Sequence, residues 1–210
     1  MTQKLIGIVD YGMGNIKSVY NALHFLGEDA RIVSSHEDFA DCSHLILPGV
    51  GAFPQAMRNL SERKMIAPIQ AHITKERPFL GICLGMQLLA DEGDEIEVTR
   101  GLEIVPGHVR LLDVSFHIPH VGWNSVHVKK SHPILEGMKK NVDFYFVHSY
   151  YFEPVEPQHL LATTDYEKEF PCAVTNGKSV VAVQFHPEKS QANGLQILEN
   201  FSNWDGSSPC

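Results

Sequence analysis

Apolar residues fall in short unbroken runs through the first half of the chain, and in runs punctuated by Pro, Gly and polar residues through much of the second. Leu5-Ile6-Gly7-Ile8-Val9 is the first run, closed by Asp10 and the turn-like Tyr11-Gly12-Met13-Gly14-Asn15. From Ile16 to Leu26 the spacing becomes helical, with Val19, Leu23 and Leu26 on one face. Further strands are expected at Ala30 to Val33, His44 to Leu47 and Phe79 to Ile82, and Ser34-x-x-Glu37 is placed to box the start of a short helix. The loop Pro48-Gly49-Val50-Gly51-Ala52 leads into a helical region over roughly Phe53 to Lys75, and the fourth strand runs directly into a helix over Leu84 to Ala90. Strands alternating with helices at this spacing predict an α/β fold, with a single doubly wound, mostly parallel sheet.

Between Leu102 and Thr163 the runs shorten, as in Val109-Arg110-Leu111-Leu112 and Phe144-Tyr145-Phe146-Val147, and predict an antiparallel or mixed extension of that sheet. Val180 to Gln184 is apolar until its last residue and reads as a central strand. Gln191 to Phe201 closes the pattern as a helix with Leu195, Leu198 and Phe201 inward. No repeat, linker or low-complexity tract divides the 210 residues, so one domain over 1–210 is expected.

Composition narrows the classes. A formal net charge of −8 with no Lys/Arg cluster argues against nucleic-acid binding. No apolar stretch approaches the ~20 residues that span a bilayer, and the first run is too short for a signal-peptide core. Cys42, Cys83, Cys172 and Cys210 lack metal-ligand spacing, which predicts reduced thiols in a cytoplasmic protein. No cofactor or metal is expected.

The candidate chemistry lies in two motifs. Gly81-Ile82-Cys83-Leu84-Gly85 after a strand has the Gly-x-nucleophile-x-Gly form of a nucleophile elbow, with cysteine at the nucleophile position. His186-Pro187-Glu188 sets an imidazole and a carboxylate two residues apart, pointing the same way if the chain is extended there, as Pro187 favours for His186. Together they make a Cys-His-Glu triad. Cys83 at a helix start meets the positive end of a helix dipole, His186 takes its proton, and Glu188 fixes the imidazole tautomer. A tetrahedral intermediate needs backbone donors, and Leu84 with the loop residues Gly49 and Val50 are the candidates. Singly, each motif also has a plain structural reading: a buried cysteine as a small core residue, His186 and Glu188 as a surface pair, the Gly-rich loop as a turn.

Across nearly its whole length the chain resembles the class I, triad-type glutamine amidotransferases, and among them most closely the glutaminase subunits of imidazole glycerol phosphate synthase. The resemblance rests on Asp10-Tyr11-Gly12-Met13-Gly14-Asn15, Leu47-Pro48-Gly49-Val50-Gly51-Ala52-Phe53, the Cys83 elbow through Met86-Gln87, Pro119-His120-Val121-Gly122-Trp123-Asn124, His148-Ser149-Tyr150 and Gln184-Phe185-His186-Pro187-Glu188-Lys189-Ser190. It implies that Cys83 attacks the side-chain amide of glutamine, and that Gln87, Ser149, Tyr150 and Glu95 hold the substrate's amino and carboxylate ends. It further implies a heterodimer with a (β/α)8-barrel cyclase subunit of histidine biosynthesis, met by a face at or near Asn15, His120, Trp123, Asn124 and Lys189. Similar motifs occur in paralogues that supply ammonia to sugar-modifying enzymes of surface-polysaccharide synthesis. A catalytically silent scaffold and a cysteine peptidase of the same architecture are the alternatives from other classes. His117-x-x-His120 as a metal pair, Gly12-x-Gly14 as a dinucleotide fingerprint and Asp91 to Glu95 as a metal site are weak signals, the last reading better as a solvated loop.

Overall fold

The computed structural model describes residues 4–139 and 142–207. The chain builds β1 (Ile6–Val9), α1 (Ile16–Phe25), β2 (Ala30–Val33), β3 (His44–Gly49), α2 (Phe53–Glu62), α3 (Ile66–Thr74), β4 (Phe79–Cys83) and the single-turn α4 (Leu84–Gln87). There follow β5 (Glu92–Gly93), β6 (Thr99–Arg100), β7 (Gly107–Leu111), β8 (His120–Val128), β9 (Val142–His148), β10 (Tyr150–Pro154), β11 (Leu160–Tyr166), β12 (Lys168–Thr175), β13 (Val180–Val183) and α5 (Gln191–Asn203).

Nine strands form the main sheet in the order β2-β1-β3-β4-β13-β12-β11-β8-β9. From β2 to β13 the pairings are parallel, and from β13 to β9 they are antiparallel. In the parallel half β1, β3, β4 and β13 are buried at every position, which is why their sequences are unbroken apolar runs. Successive side chains enter different cores. Leu45, Leu47, Phe79, Val180 and Ala182 pack with α2, α3 and α4. Ile46, Leu80, Ile82, Val181 and Val183 pack with α1 and α5. A strand covered by helices on both faces puts its period-2 alternation between two apolar layers, so no polar face is visible in sequence.

The expected extension of the sheet exists as β12, β11, β8 and β9, but β7 and β10 leave it. They join β5 and β6 in a second, four-stranded sheet, order β10-β7-β5-β6, whose Val109 and Phe152 pack into the core beneath α2 and α4. The acidic stretch Asp91 to Glu95 is accordingly not a simple solvated loop: Glu92 and Gly93 pair with β6 and β7. The helix expected through Ala90 stops at Gln87. Beyond it the Leu89 and Ala90 N–H groups bond only three residues back, to Met86 and Gln87, and the Leu88, Leu89 and Ala90 carbonyls accept from the N–H groups of Leu102, Ile104, Val105 and Glu103. The capping box falls one residue later than expected, at Ser35 and Asp38, where the Asp38 carboxylate accepts from the backbone N–H groups of Ser34 and Ser35. In α5 Ile197 rather than Leu195 is fully buried beside Leu198 and Phe201. Cys42, Cys83 and Cys172 are free thiols, and Cys210 lies outside the described residues. No helix among the described residues is long and apolar enough to cross a membrane.

Candidate active site

Three features meet at the carboxyl edge of the parallel half, where open α/β sheets bind their ligands. β4 delivers Cys83 at φ 54°, ψ −112°, a backbone conformation that costs a non-glycine residue about 1–3 kcal/mol and persists only under firm packing. The packing is supplied by glycine. A β-carbon at Gly85 would lie 1.8 Å from the Leu47 carbonyl oxygen, so only glycine lets α4 press against β3 and close the elbow. Cys83 is almost buried, with Sγ 3.9 Å from the Val147 carbonyl and 3.7 Å from Gln184 Nε2. Because α4 is one turn, the dipole expected to favour a thiolate is much smaller than a long helix would give.

His186 follows β13 and donates from Nδ1 to Glu188 Oε1 at 2.8 Å, both side chains only 1% exposed. An extended chain does not bring the two side chains together. His186 is extended, but Pro187–Lys189 is a 3-10 turn, and the turn swings Glu188 back against the ring. Asn15 Nδ2 donates to the same carboxylate oxygen at 3.1 Å. Asn15 holds the N-cap position of α1 yet makes no capping bond, so the local helix rule gives way to the site. It therefore touches the carboxylate directly rather than serving only a partner face. The ring is anchored from behind by the His186 N–H to the Tyr145 carbonyl at 2.9 Å. Burial depresses the His186 pKa, but Cys83 and Glu188 outweigh it and raise the value to about 9. His186 Nε2 is buried and makes no hydrogen bond, and Cys83 is near enough for its charge to act on the ring.

In front of Cys83 opens a cavity of about 590 Å³. Val50, Leu84, Gln87, Glu95, Ser149, Tyr150 and Lys189 all line it, so residues of four separate motifs and Glu95 of the acidic stretch converge on one space. Gln87 Nε2 donates to the Tyr150 carbonyl at 2.8 Å and to Gln184 Oε1 at 3.1 Å, leaving its own Oε1 as the unspent acceptor. Glu95 Oε2 accepts from the Phe53 N–H at 2.8 Å, so it also caps α2. Gly49 is the register partner of Cys83 across β3 and β4, which sets the loop donor beside the nucleophile.

The face read as a partner surface divides in two. Trp123 is 46% exposed, edge-on to Tyr145, and Lys189 Nζ lies 5.6 Å from the centre of the Tyr145 ring. His120 is interior, 1% exposed, stacked on Tyr166, with Nδ1 3.1 Å from His148 Nε2. Asn124 turns its amide to the Asp165 carbonyl. His117 is exposed and His120 buried, so they do not share a face, and no group of three or more His, Cys, Asp or Glu among the described residues is placed to hold a metal.

Two contributors escaped the sequence reading of the site. Gln184 orients Gln87 and donates toward Cys83, and its signal was the single polar residue ending the apolar run of β13. His148 donates from Nδ1 to the Tyr150 carbonyl at 2.8 Å and lines the cavity. A larger cleft of about 920 Å³ lies at the opposite, amino edge of the sheet near Arg31 and Arg77. Arg31 pairs there with Asp41, Arg77 donates to the Cys42 carbonyl, and burial raises the Cys42 thiol to about 11, so that cleft offers no activated nucleophile.

Residues 7–203 match the family described as glutamine amidotransferase class-I. The imidazole glycerol phosphate synthase subunit HisH of Caldanaerobacter subterraneus subsp. tengcongensis is 49% identical over 197 residues, covering 94% of this chain and 97% of that one. HisH of Aquifex aeolicus is 48% identical over 195 residues, covering 92% and 94%. Among solved structures, PurLQS from Thermotoga maritima superposes with a TM-score of 0.77 at 17% identity, covering 96% and 98%, and a glutamine amidotransferase with 0.73 at 21%, covering 93% and 98%. At those identities the structural likeness speaks for the fold alone. The sequence relationships carry the conclusion: this chain belongs to the class I glutamine amidotransferases, in the group of imidazole glycerol phosphate synthase HisH subunits.

Proposed function

We propose that Cys83, His186 and Glu188 are the machinery of glutamine hydrolysis, in a single domain covering the chain, for an ammonia acceptor on another subunit. The observation that carries this is the buried His186–Glu188 pair, whose second ring nitrogen is left bare beside the strained turn bearing Cys83. The Cys83 proton resides on His186 Nε2, so the resting pair is a thiolate beside an imidazolium, the state in which the Cys83 charge and Glu188 hold the His186 pKa up. Sγ attacks the side-chain amide carbon of glutamine, and the N–H groups of Leu84 and of the Gly49–Val50 loop stabilise the oxyanion. The imidazolium returns its proton to the nitrogen as the C–N bond breaks, giving ammonia and a glutamyl thioester. His186 then takes a proton from water, hydroxide attacks, and glutamate leaves as the C–S bond breaks. Gln87 Oε1 and Glu95 are acceptors suited to the substrate ammonium, with Ser149 and Tyr150 at its carboxylate end.

The acceptor is a (β/α)8-barrel cyclase subunit in a cytoplasmic heterodimer, which uses the ammonia on a phosphoribulosyl formimino-carboxamide nucleotide in histidine biosynthesis. The exposed Trp123 and the Lys189–Tyr145 contact at the cavity rim support docking there. Glutamate release is measured with and without the cyclase subunit and its nucleotide. The expected result is slow release alone and strong stimulation in the complex. A glutamine-mimicking diazoketone is expected to label Cys83. Fast, partner-independent turnover, or labelling of another thiol, defeats the proposal.

A further inference from the structure

Tyr11 is completely buried, yet its hydroxyl has no hydrogen-bond partner. A buried polar group left unpaired costs about 1–3 kcal/mol, so one inside a well-packed core calls for a use. Its position supplies one. A β-carbon on Gly49 would lie 2.5 Å from the Tyr11 oxygen, 2.8 Å from Leu84 Cβ and 3.0 Å from the Gly85 nitrogen. The hydroxyl therefore sits against the backbone of the loop residue that pairs with Cys83, close to the residue after the nucleophile. The loop has two sides. Val50, Gly51 and Ala52 face the cavity, while Tyr11 stands behind them in the core with Leu47, Phe53 and Leu84. Its backbone is tied in place, with the Tyr11 carbonyl accepting from Asn59 Nδ2 at 3.1 Å.

A trans peptide carries its N–H and C=O on opposite sides. Turning the Val50 N–H toward the substrate oxyanion therefore turns the Gly49 carbonyl away from the cavity, toward the core. There it needs a donor, and the Tyr11 O–H is an unspent one. Burial first, and the nearby Cys83 charge second, push the Tyr11 pKa upward, so the phenol keeps its proton at any working pH. The geometry points to Tyr11 as a positioning residue: when the Gly49–Val50 peptide turns to stabilise the oxyanion, the hydroxyl that is unpaired in this structure donates to the Gly49 carbonyl and holds the peptide there. This rests on the glutaminase roles proposed for Cys83 and the loop.

The test is Tyr11→Phe in the full chain, assayed with the cyclase subunit and nucleotide present. Loss of one oxyanion donor costs about 10²–10³-fold, so loss of its support is expected to lower kcat for glutamine about tenfold with KM within about twofold. Alkylation of Cys83 by iodoacetamide forms no oxyanion and is expected to keep its wild-type rate. The melting temperature is expected to hold or rise, since the change removes an unpaired buried hydroxyl. A kcat within twofold of wild type, or alkylation slowed in parallel with kcat, overturns the role of Tyr11. Wild-type protein that releases no glutamate overturns the glutaminase roles instead.

Discussion

His186 and His148 are both buried beside the same active-site region, yet their surroundings drive them in opposite directions. His186 has the Glu188 carboxylate on one nitrogen and Cys83 near the other, and its pKa rises to about 9. His148 faces the Tyr150 carbonyl and another imidazole, His120, and burial with little compensation lowers it to about 3. A carbonyl can only accept, so His148 carries its proton on Nδ1, and its bare Nε2 accepts from His120 Nδ1. Burial alone thus does not decide a histidine's charge. The groups buried with it do: a thiol and a carboxylate raise one imidazole, while a carbonyl and a second imidazole leave the other depressed by burial.

The largest effect is expected from removing the charge that separates the two. Glu188→Gln keeps the side-chain size but loses the anion facing His186, and a comparable change in a nucleophile–His–carboxylate triad costs about 10⁴-fold in kcat. Glutamate release by the variant complex measures it, with NMR titration showing the His186 pKa falling while that of His148 stays. A loss smaller than about tenfold would place the proton transfer elsewhere. His148→Phe is the opposite case. It leaves the Tyr150 carbonyl with Gln87 alone and His120 Nδ1 without an acceptor, at about 1–3 kcal/mol of stability. The expected kinetic result is a higher KM for glutamine with the pH limbs of kcat unmoved. A shifted limb would mean that His148 also exchanges protons during turnover.

The smallest effect is on stability. His186, raised from 6.5 to about 9, contributes stability that is complete below pH 6.5 and lost as pH rises through 9. His148 at about 3, with His72 and His132 at about 4, contributes stability present above pH 6.5 and lost as pH falls toward 4 and then 3. Urea melts from pH 4 to 9 are expected to peak near pH 6.5. Glu188→Gln should flatten the decline above the peak while leaving the acid side intact. An unchanged alkaline decline would show that His186 is not its source.

Legibility followed the range of the forces involved. The parallel strands were readable because burial on both faces leaves no polar alternation to confuse, and the elbow because Gly81, Cys83 and Gly85 stand two apart in sequence, although the close approaches that demand glycine there come also from Leu47 on β3 and Ala182 on β13. The length of α4 was not readable. The three residues after it give their carbonyls to Leu102 to Val105, a segment distant enough in sequence to leave no local signal. That His120, expected at or near a partner face, is itself buried was not readable either, because the register of β8 against β9 sets it opposite His148. Gln184 and Tyr11 carried no local pattern distinguishing a site residue from a strand end or a turn.

By itself the sequence determined the family, the α/β alternation, the Gly81–Gly85 turn that carries Cys83 and the pairing of His186 with Glu188 two residues on, all products of short-range spacing and side-chain chemistry. Only the tertiary structure decided which histidine is raised and which is lowered, where α4 stops, how Asn15 comes to hold Glu188, and that the unpaired Tyr11 hydroxyl lies against Gly49. Those outcomes depend on groups distant in sequence that are brought within 3–4 Å in a medium where water no longer screens them.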